Sequence, residues 1–341
     1  MDPFQNFQIG ETGVKLTLAG LGGGQLGELD PDLSDGIAVS TIRKALEIGI
    51  RYVDLAPLYG TGRGELRFAE ALKGVPRENY VVSTKVGLLL KGSDDFDFTN
   101  TTLYNLPKLS AFFDFSRDAI LQSVDESLLR LGIQWVDILY LHNVPEEHYQ
   151  MAIKEAVPTL VNLQSEGVVK AIGAGMGTGH LNLLIRLVQE VDLDCVLLAG
   201  PYTILDQSAL LEFLPLCIDK GIKVVIGAPY MSGALFGRGI TDQKIKSHLH
   251  SLQEVCINNQ VPVKAAALQF VAAHPAVVSV IPGSRSIHEV ENNVAMLKHP
   301  IPSIFWDELR QKGLLSSEAH VIMEPEPTLK RNINNDRTIT D

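Results

Sequence analysis

Four residues of this 341-residue chain have the types and order needed to move a proton: Asp54, Tyr59, Lys85 and His142. Asp54 and Tyr59 lie in Arg51-Tyr-Val-Asp-Leu-Ala-Pro-Leu-Tyr-Gly60; Lys85 ends Tyr80-Val-Val-Ser-Thr-Lys85, and His142 ends Val136-Asp-Ile-Leu-Tyr-Leu-His142. A free phenol titrates near ~10, so a tyrosine is a poor base near neutrality unless its phenolate is stabilised. A neighbouring Lys85 ammonium would stabilise it, Asp54 would keep Lys85 charged and oriented, and His142 would hydrogen-bond the reacting oxygen. Singly, each has an ordinary explanation: a loop-capping carboxylate, an amphipathic aromatic, a solvated strand end, a satisfied polar residue. Their coincidence at three apolar run ends is what points to chemistry.

Such groups meet only if the runs that carry them end at one place. Short β-branched runs occur at residues 15–21, 51–54, 80–84, 136–141, 169–173, 195–198, 223–227 and 277–281. Amphipathic stretches alternate with them at 34–47, 65–72, 116–131, 152–166, 181–190, 208–219, 263–274 and 287–297. Gly49, Gly132, Gly167 and Gly221 sit where glycine closes a helix. The pattern predicts an α/β chain folded as a (β/α)8 TIM barrel, in which strand ends gather around one catalytic mouth. A doubly wound open sheet is the alternative. Residues 1–323 are expected to form a single barrel. Residues 4–13 would make a hairpin closing its floor, and the polar segment 324–341 a mobile tail. The long loop after the third strand, 88–115, carries Phe96, Phe98, Tyr104, Phe112, Phe113 and Phe115, so it is either an active-site wall or a self-contained surface cluster.

Gly22-Gly-Gly-Gln-Leu-Gly27 fits the GxGxxG pattern and follows a strand. A dinucleotide fingerprint of that kind opens a helix at once. Here Pro31 intervenes and the helix is expected only after an N-cap at Ser34, so Gly22–Gly24 read as a close-approach loop at the mouth. Hydrophobic residues make up 45% and charged residues 20%, an ordinary globular composition. Twenty-nine basic against 40 acidic residues give a net charge of −11, which argues against nucleic acid and anionic membranes as partners. Cys195, Cys217 and Cys256 are odd in number, without CxxC, and read as reduced thiols. The start Met1-Asp-Pro-Phe-Gln has no signal-peptide pattern, no apolar run approaches membrane-spanning length, and a cytoplasmic location is expected.

Asp54-x4-Tyr59 with Lys85 and His142 resembles the catalytic tetrad of the aldo-keto reductase family, over roughly residues 8–310. The resemblance implies a barrel that binds NAD or NADP in extended form without metal and transfers hydride to or from a carbonyl or carbinol carbon, with Tyr59 passing the proton. Val168-Val-Lys-Ala-Ile-Gly-Ala-Gly-Met176 and Leu198-Ala-Gly-Pro-Tyr-Thr-Ile-Leu-Asp-Gln207 are similar to the aldose 1-dehydrogenase branch (arabinose, fucose and galactose types). That likeness implies oxidation of a sugar's C1 hemiacetal to a lactone, selected by Leu58 and the 88–115 loop. Reduction of a non-sugar aldehyde or ketone is the alternative within the class, and a cofactor-binding sensor or channel-associated subunit the alternative outside it.

Carried onto this chain, the resemblance implies cofactor contacts at Gly22, Gly23, Gly173, Met176, Tyr202, Gln207, Gly227, Pro229, Gly233, Leu235, Ile281, Gly283, Ser284, Arg285, Glu289 and Asn293. Tyr202 would stack on the nicotinamide. Glu289 stands where NADP-preferring relatives carry an arginine, which favours NAD, with Arg285 as the counter-argument. Two positions depart from the pattern. Gly177 stands where relatives often have an asparagine for the cofactor carboxamide, leaving that task to Gln207 or a backbone group. Asn143 follows the histidine where many relatives have aspartate.

Overall fold

A computed structural model describes residues 1–28, 33–92 and 109–321; the 324–341 tail and Phe96, Phe98 and Tyr104 lie outside the described residues. Eight parallel strands form the barrel. In chain order they are β3 (Gly20–Gly22), β4 (Tyr52–Asp54), β5 (Val81–Val86), β8 (Val136–His142), β9 (Val169–Met176), β10 (Cys195–Ala199), β11 (Lys223–Gly227) and β12 (Val277–Ile281). Sequential strands pair in parallel, and bridges from Ala19 to Val280 and from Gly22 to Gly283 join the two edges. The strands read as unbroken apolar runs because both faces are covered: one by the barrel interior, the other by helices.

The helices are α1 (Gly24–Gly27), α2 (Asp35–Glu47), α3 (Arg63–Leu72), α4 (Arg117–Leu131), α5 (Tyr149–Met151), α6 (Val157–Ser165), α7 (Leu181–Glu190), α8 (Phe213–Asp219), α9 (Gln243–Asn258), α10 (Val263–Ala272), α11 (Ile287–Lys298) and α12 (Ser303–Gln311). Ser34 caps α2 as expected, its side chain accepting from the Ile37 amide, and Ala38, Thr41, Ile42, Ala45 and Leu46 form the stripe that α2 buries. Gly49, Gly132, Gly167 and Gly221 all adopt positive φ. Residues 152–156 form a single π turn between α5 and α6, just before Pro158, which has no amide proton for the helical ladder.

Three expectations change. The run 15–21 divides: β2 (Lys15–Thr17) pairs antiparallel with β1 (Asn6–Gln8), and only Gly20–Gly22 enters the barrel. Ile9, Val14 and Leu16 of this hairpin join the interior cluster with Tyr52, Ile138 and Tyr140, so the floor is closed by both arms. The helix predicted from 208 begins at Phe213; α9, α12 and the single turns α1 and α5 are additional, α1 opening at Gly24 where a loop was expected. After β5, β6 (Leu88–Lys91) and β7 (Ser110–Phe113) form an antiparallel hairpin. Phe112 and Phe113 are exposed on it, while Phe115 is buried against Gly87, whose φ of +95° and missing Cβ make room for the ring. Among the described residues no helix is long and apolar enough to cross a membrane, and the three cysteines are free and buried.

Candidate active site

The four residues first singled out come together at the carboxyl ends of adjacent strands. Asp54 ends β4, Lys85 lies near the end of β5, and His142 ends β8. The outer face of β5 is pinned beside Lys85: Thr84 donates to Glu65 of α3 at 2.7 Å, and Arg130 of α4 donates to the same carboxylate at 2.6 Å. Tyr59 lies on the turn after β4, held by its amide bond to the Ala56 carbonyl. That turn packs against α1 so closely that a Cβ at Gly27 would lie 2.4 Å from the Tyr59 carbonyl group. The Gly23 amide donates to the Asp54 carbonyl at 2.8 Å. The GxGxxG stretch thus braces the Asp54–Tyr59 segment at the mouth.

Lys85 Nζ donates to both Asp54 oxygens at 2.6 and 2.7 Å and to the Leu55 carbonyl at 2.7 Å. The Tyr59 hydroxyl donates to Asp54 Oδ2 at 3.4 Å, and Lys85 Nζ lies 4.7 Å from the Tyr59 ring centre. Burial is the strongest influence on Tyr59 and pushes its phenol up; Lys85 opposes that shift and Asp54 adds to it. The Lys85 charge thus favours the phenolate, but burial outweighs it. Burial disfavours the Lys85 ammonium too, yet Asp54 and Tyr59 overcome this and raise its pKa.

His142 packs edge-on to Tyr59, ring centres 6.2 Å apart. Burial, with the Lys85 charge close by, lowers it to about 3, so the imidazole is neutral near pH 7. Its buried Nδ1 has no hydrogen-bond partner. An orphaned lone pair is less costly than an orphaned N–H, so the proton belongs on Nε2, where it can donate to a reacting oxygen. The depressed value has a linked cost. Between about 6.5 and 3 the unfolded chain binds a proton that the folded protein refuses, so stability should fall as pH drops through that window, by a few kcal/mol, roughly 1.4 per unit. Thermal melts from pH 7 to pH 4 should show this fall. His142→Gln should flatten it, leaving the smaller contributions of His274, which burial lowers to about 4, and of His248, which burial also lowers. An unchanged slope in His142→Gln would assign the acid sensitivity elsewhere.

A groove of about 760 Å³ runs from Asp54 and Tyr59 to the start of α11. Of the expected cofactor residues it gathers Gly22, Gly227, Pro229, Gly233, Ile281, Gly283, Arg285, Glu289 and Asn293. The remaining seven do not line it. Tyr202 is fully buried against Phe270 and His274, so it presents no face at the mouth for stacking. Gln207 uses both ends of its amide on the Leu314 carbonyl and the Ser316 amide, tying down the C-terminal segment. Gly173 lies inside the barrel, where a Cβ would be 2.8 Å from the Tyr140 ring. Met176 and Leu235 are core residues. Gly23 braces Asp54, and buried Ser284 accepts from Asn293 at 3.0 Å. The two departures are joined: Gly177 donates its amide to the Asn143 side-chain oxygen at 3.0 Å.

Sequence reasoning missed Gln25, Glu28, Tyr230, Ser232, Phe236, Arg238 and Lys264, which also line the groove. The loop 228–238 holds several of them, with Ala228, Met231 and Ser232 all at positive φ, a strain that clusters at functional sites. The Tyr230 hydroxyl donates to Asn293 at 2.6 Å, fixing the ring on the groove wall. At the far end Ser286 caps α11 through the Glu289 amide, and the Glu289 carboxylate accepts from the Arg285 amide at 2.6 Å. A helix start with Arg285, Arg238 and Lys264 around one groove suits anionic groups, so these residues fit a dinucleotide. Among the described residues no group of three or more His, Cys, Asp or Glu is placed to hold a metal ion.

The site is thus a cluster of titratable side chains at the mouth of a parallel barrel, joined to a long, partly cationic groove. Residues 19–313 match the Aldo/keto reductase family, and the chain belongs to that family of oxidoreductases. The family uses NAD(P)(H) and acts on small carbonyl or sugar substrates. The chain is 35% identical to a D-threo-aldose 1-dehydrogenase of Pseudomonas, covering 89% of this chain and 96% of that one. It is 33% identical to a pyridoxal 4-dehydrogenase of Microbacterium luteolum, covering 90% and 97%. Among solved structures, a holo-form aldo-keto reductase of Bacillus halodurans superposes with a TM-score of 0.72 at 24% identity, covering 95% and 99%.

Proposed function

We propose that the protein oxidises the C1 hemiacetal of an aldose to a lactone, with NAD preferred over NADP. The observation that carries this reading is the buried Asp54–Lys85 pair in hydrogen-bond reach of Tyr59, at one end of the dinucleotide-sized groove. Likeness to an aldose 1-dehydrogenase supports the substrate class. Gly22, Gly227, Tyr230, Asn293 and the α11 start would hold a nicotinamide dinucleotide along the groove, and it would supply the hydride acceptor there. His142 Nε2–H orients the anomeric oxygen. Tyr59, as phenolate, takes the hydroxyl proton while the C1 hydride leaves, so that C1–O1 becomes the lactone carbonyl. Lys85 stabilises the phenolate and Asp54 holds Lys85. Glu289, pinned by the Arg285 amide, puts a carboxylate at the adenosine end, where it disfavours an added phosphate.

Initial rates with NAD and with NADP against a panel of aldoses, with pyridoxal alongside, test this directly. Turnover of at least one aldose with lactone as product, faster with NAD, is expected. Turnover of pyridoxal alone would overturn the sugar assignment. Cofactor binding without turnover of any substrate would overturn the enzymatic one.

A further inference from the structure

Behind Asp54 the barrel interior holds a line of polar groups that the proposed reaction does not use. Ser83 Oγ on β5 lies 2.7 Å from Asp54 Oδ1; the Tyr52 hydroxyl on β4 lies 2.9 Å from Ser83. The Tyr140 hydroxyl on β8 lies 3.4 Å from that of Tyr52, and Cys195 Sγ on β10 lies 3.7 Å from Tyr140. All four residues are wholly inaccessible to solvent.

Counting protons fixes the direction of every bond. Asp54, ionised against Lys85, can only accept. Ser83 has one proton, so that proton points to Asp54. Tyr52 must then donate to Ser83, Tyr140 to Tyr52, and Cys195 to Tyr140. Four dipoles point the same way, toward one carboxylate, and donors aligned in series reinforce one another in a low dielectric. Burial raises the Tyr52, Tyr140 and Cys195 groups well above their ordinary values, so they stay protonated as donors. The chain ends at a dry thiol, which makes it a fixed donor line rather than a proton exit. Gly173 belongs to it: the missing Cβ leaves room for the Tyr140 ring.

We infer that Ser83, backed by Tyr52 and Tyr140, is a positioning group for the proton-transferring tyrosine, drawing Asp54's charge into the barrel so that Tyr59 ionises more readily. The inference rests on Tyr59 being the acid–base group. The ionisable groups facing Tyr59 are Asp54 from β4, Lys85 from β5 and His142 from β8, while Tyr52 and Tyr140 face Asp54 from inside. Asp54's negative charge opposes a phenolate on Tyr59. Every donor that takes up part of that charge lowers the pKa of Tyr59, and removing one raises it.

The test is the pH profile of kcat/KM for oxidation, whose rising limb follows the base. Ser83→Ala should move that limb to higher pH by roughly 0.5–1 unit, with KM nearly unchanged because Ser83 does not line the groove. Ser83→Thr, which keeps the hydroxyl, should restore it. Tyr52→Phe should shift it less in the same direction. The double variant should shift no further than Ser83→Ala alone, since Tyr52 reaches Asp54 through Ser83. Phenolate absorbance of the cofactor-free protein, read as the difference between each variant with and without Tyr59→Phe, should give the same shifts without turnover. An unshifted limb and an unshifted Tyr59 titration in folded Ser83→Ala, or additive shifts in the double variant, would overturn the inference. Should Ser83→Ala not fold, isosteric Tyr52→Phe decides by the same readouts. A fully active Tyr59→Phe would instead bring down the underlying assignment of the base.

Discussion

Tyr59→Phe should lose about 10²–10⁴-fold in kcat for aldose oxidation while keeping cofactor affinity within a few fold. The substitution removes one oxygen and leaves the ring, so the edge contact with His142 and the packing of Gly24 and Gly27 against the turn survive. What disappears is the atom 3.4 Å from Asp54 and next to the Lys85 ammonium. His142 cannot replace it as base, because its Nε2 already carries the proton that it donates to the substrate oxygen. Loss should appear in kcat rather than KM, because the hydroxyl proton moves in the transition state and the phenylalanine ring keeps the groove wall that Tyr59 forms. Stopped-flow fluorescence for cofactor binding and single-turnover rates separate the two quantities. Equal single-turnover rates for the variant and the wild type would end the case for Tyr59 as the proton carrier.

The barrel and the tetrad were legible because each has a local signature. Strands buried on both faces read as apolar runs, and αβ turns close on glycines such as Gly132 and Gly167 with positive φ. Residues 15–21 misled because two short strands in different sheets sit in one apolar stretch, and nothing in its composition marks the change of sheet at Leu18–Ala19. Helix α9 had a readable stripe at Ile245, Leu249, Leu252 and Cys256, with Asp242 as its cap, but an eightfold count of units left no place for it. The groove was harder. Its wall depends on which face of the 228–238 loop turns inward, and positive φ at Ala228, Met231 and Ser232 has no signal in those residue types. Tyr202 shows the opposite error. It has the chemistry for stacking, yet Phe270 and His274 hold it in the core. The line from Ser83 to Cys195 was invisible because its members come from four strands and each alone is an ordinary core residue.

Asp54→Asn should be the most damaging single change at the site, in stability as well as rate. The amide keeps the carboxylate's shape but not its charge, so the Lys85 ammonium, 2% exposed, is left without a counter-charge. Breaking a buried pair in this way costs on the order of 3–5 kcal/mol unless the survivor sheds its proton. A lysine with only neutral neighbours does so, its pKa falling well below the ordinary 10.5. The sign of the pH dependence then reverses. In the wild type Lys85 is raised, so its contribution is complete below about 10.5 and is lost above it. In the variant the folded protein binds fewer protons than the unfolded chain below 10.5, so its melting temperature should rise from pH 7 toward pH 10. A neutral Lys85 no longer stabilises the Tyr59 phenolate, and kcat should fall by roughly 10²-fold or more. Adding Lys85→Met removes the unpaired cation and should recover much of the lost stability with none of the rate. Recovery of both together would mean that the pair serves the fold alone. An Asp54→Asn protein that melted and turned over like the wild type would show that Lys85 needs no carboxylate, and the coupling between charge, fold and proton transfer at this mouth would fail at its first link.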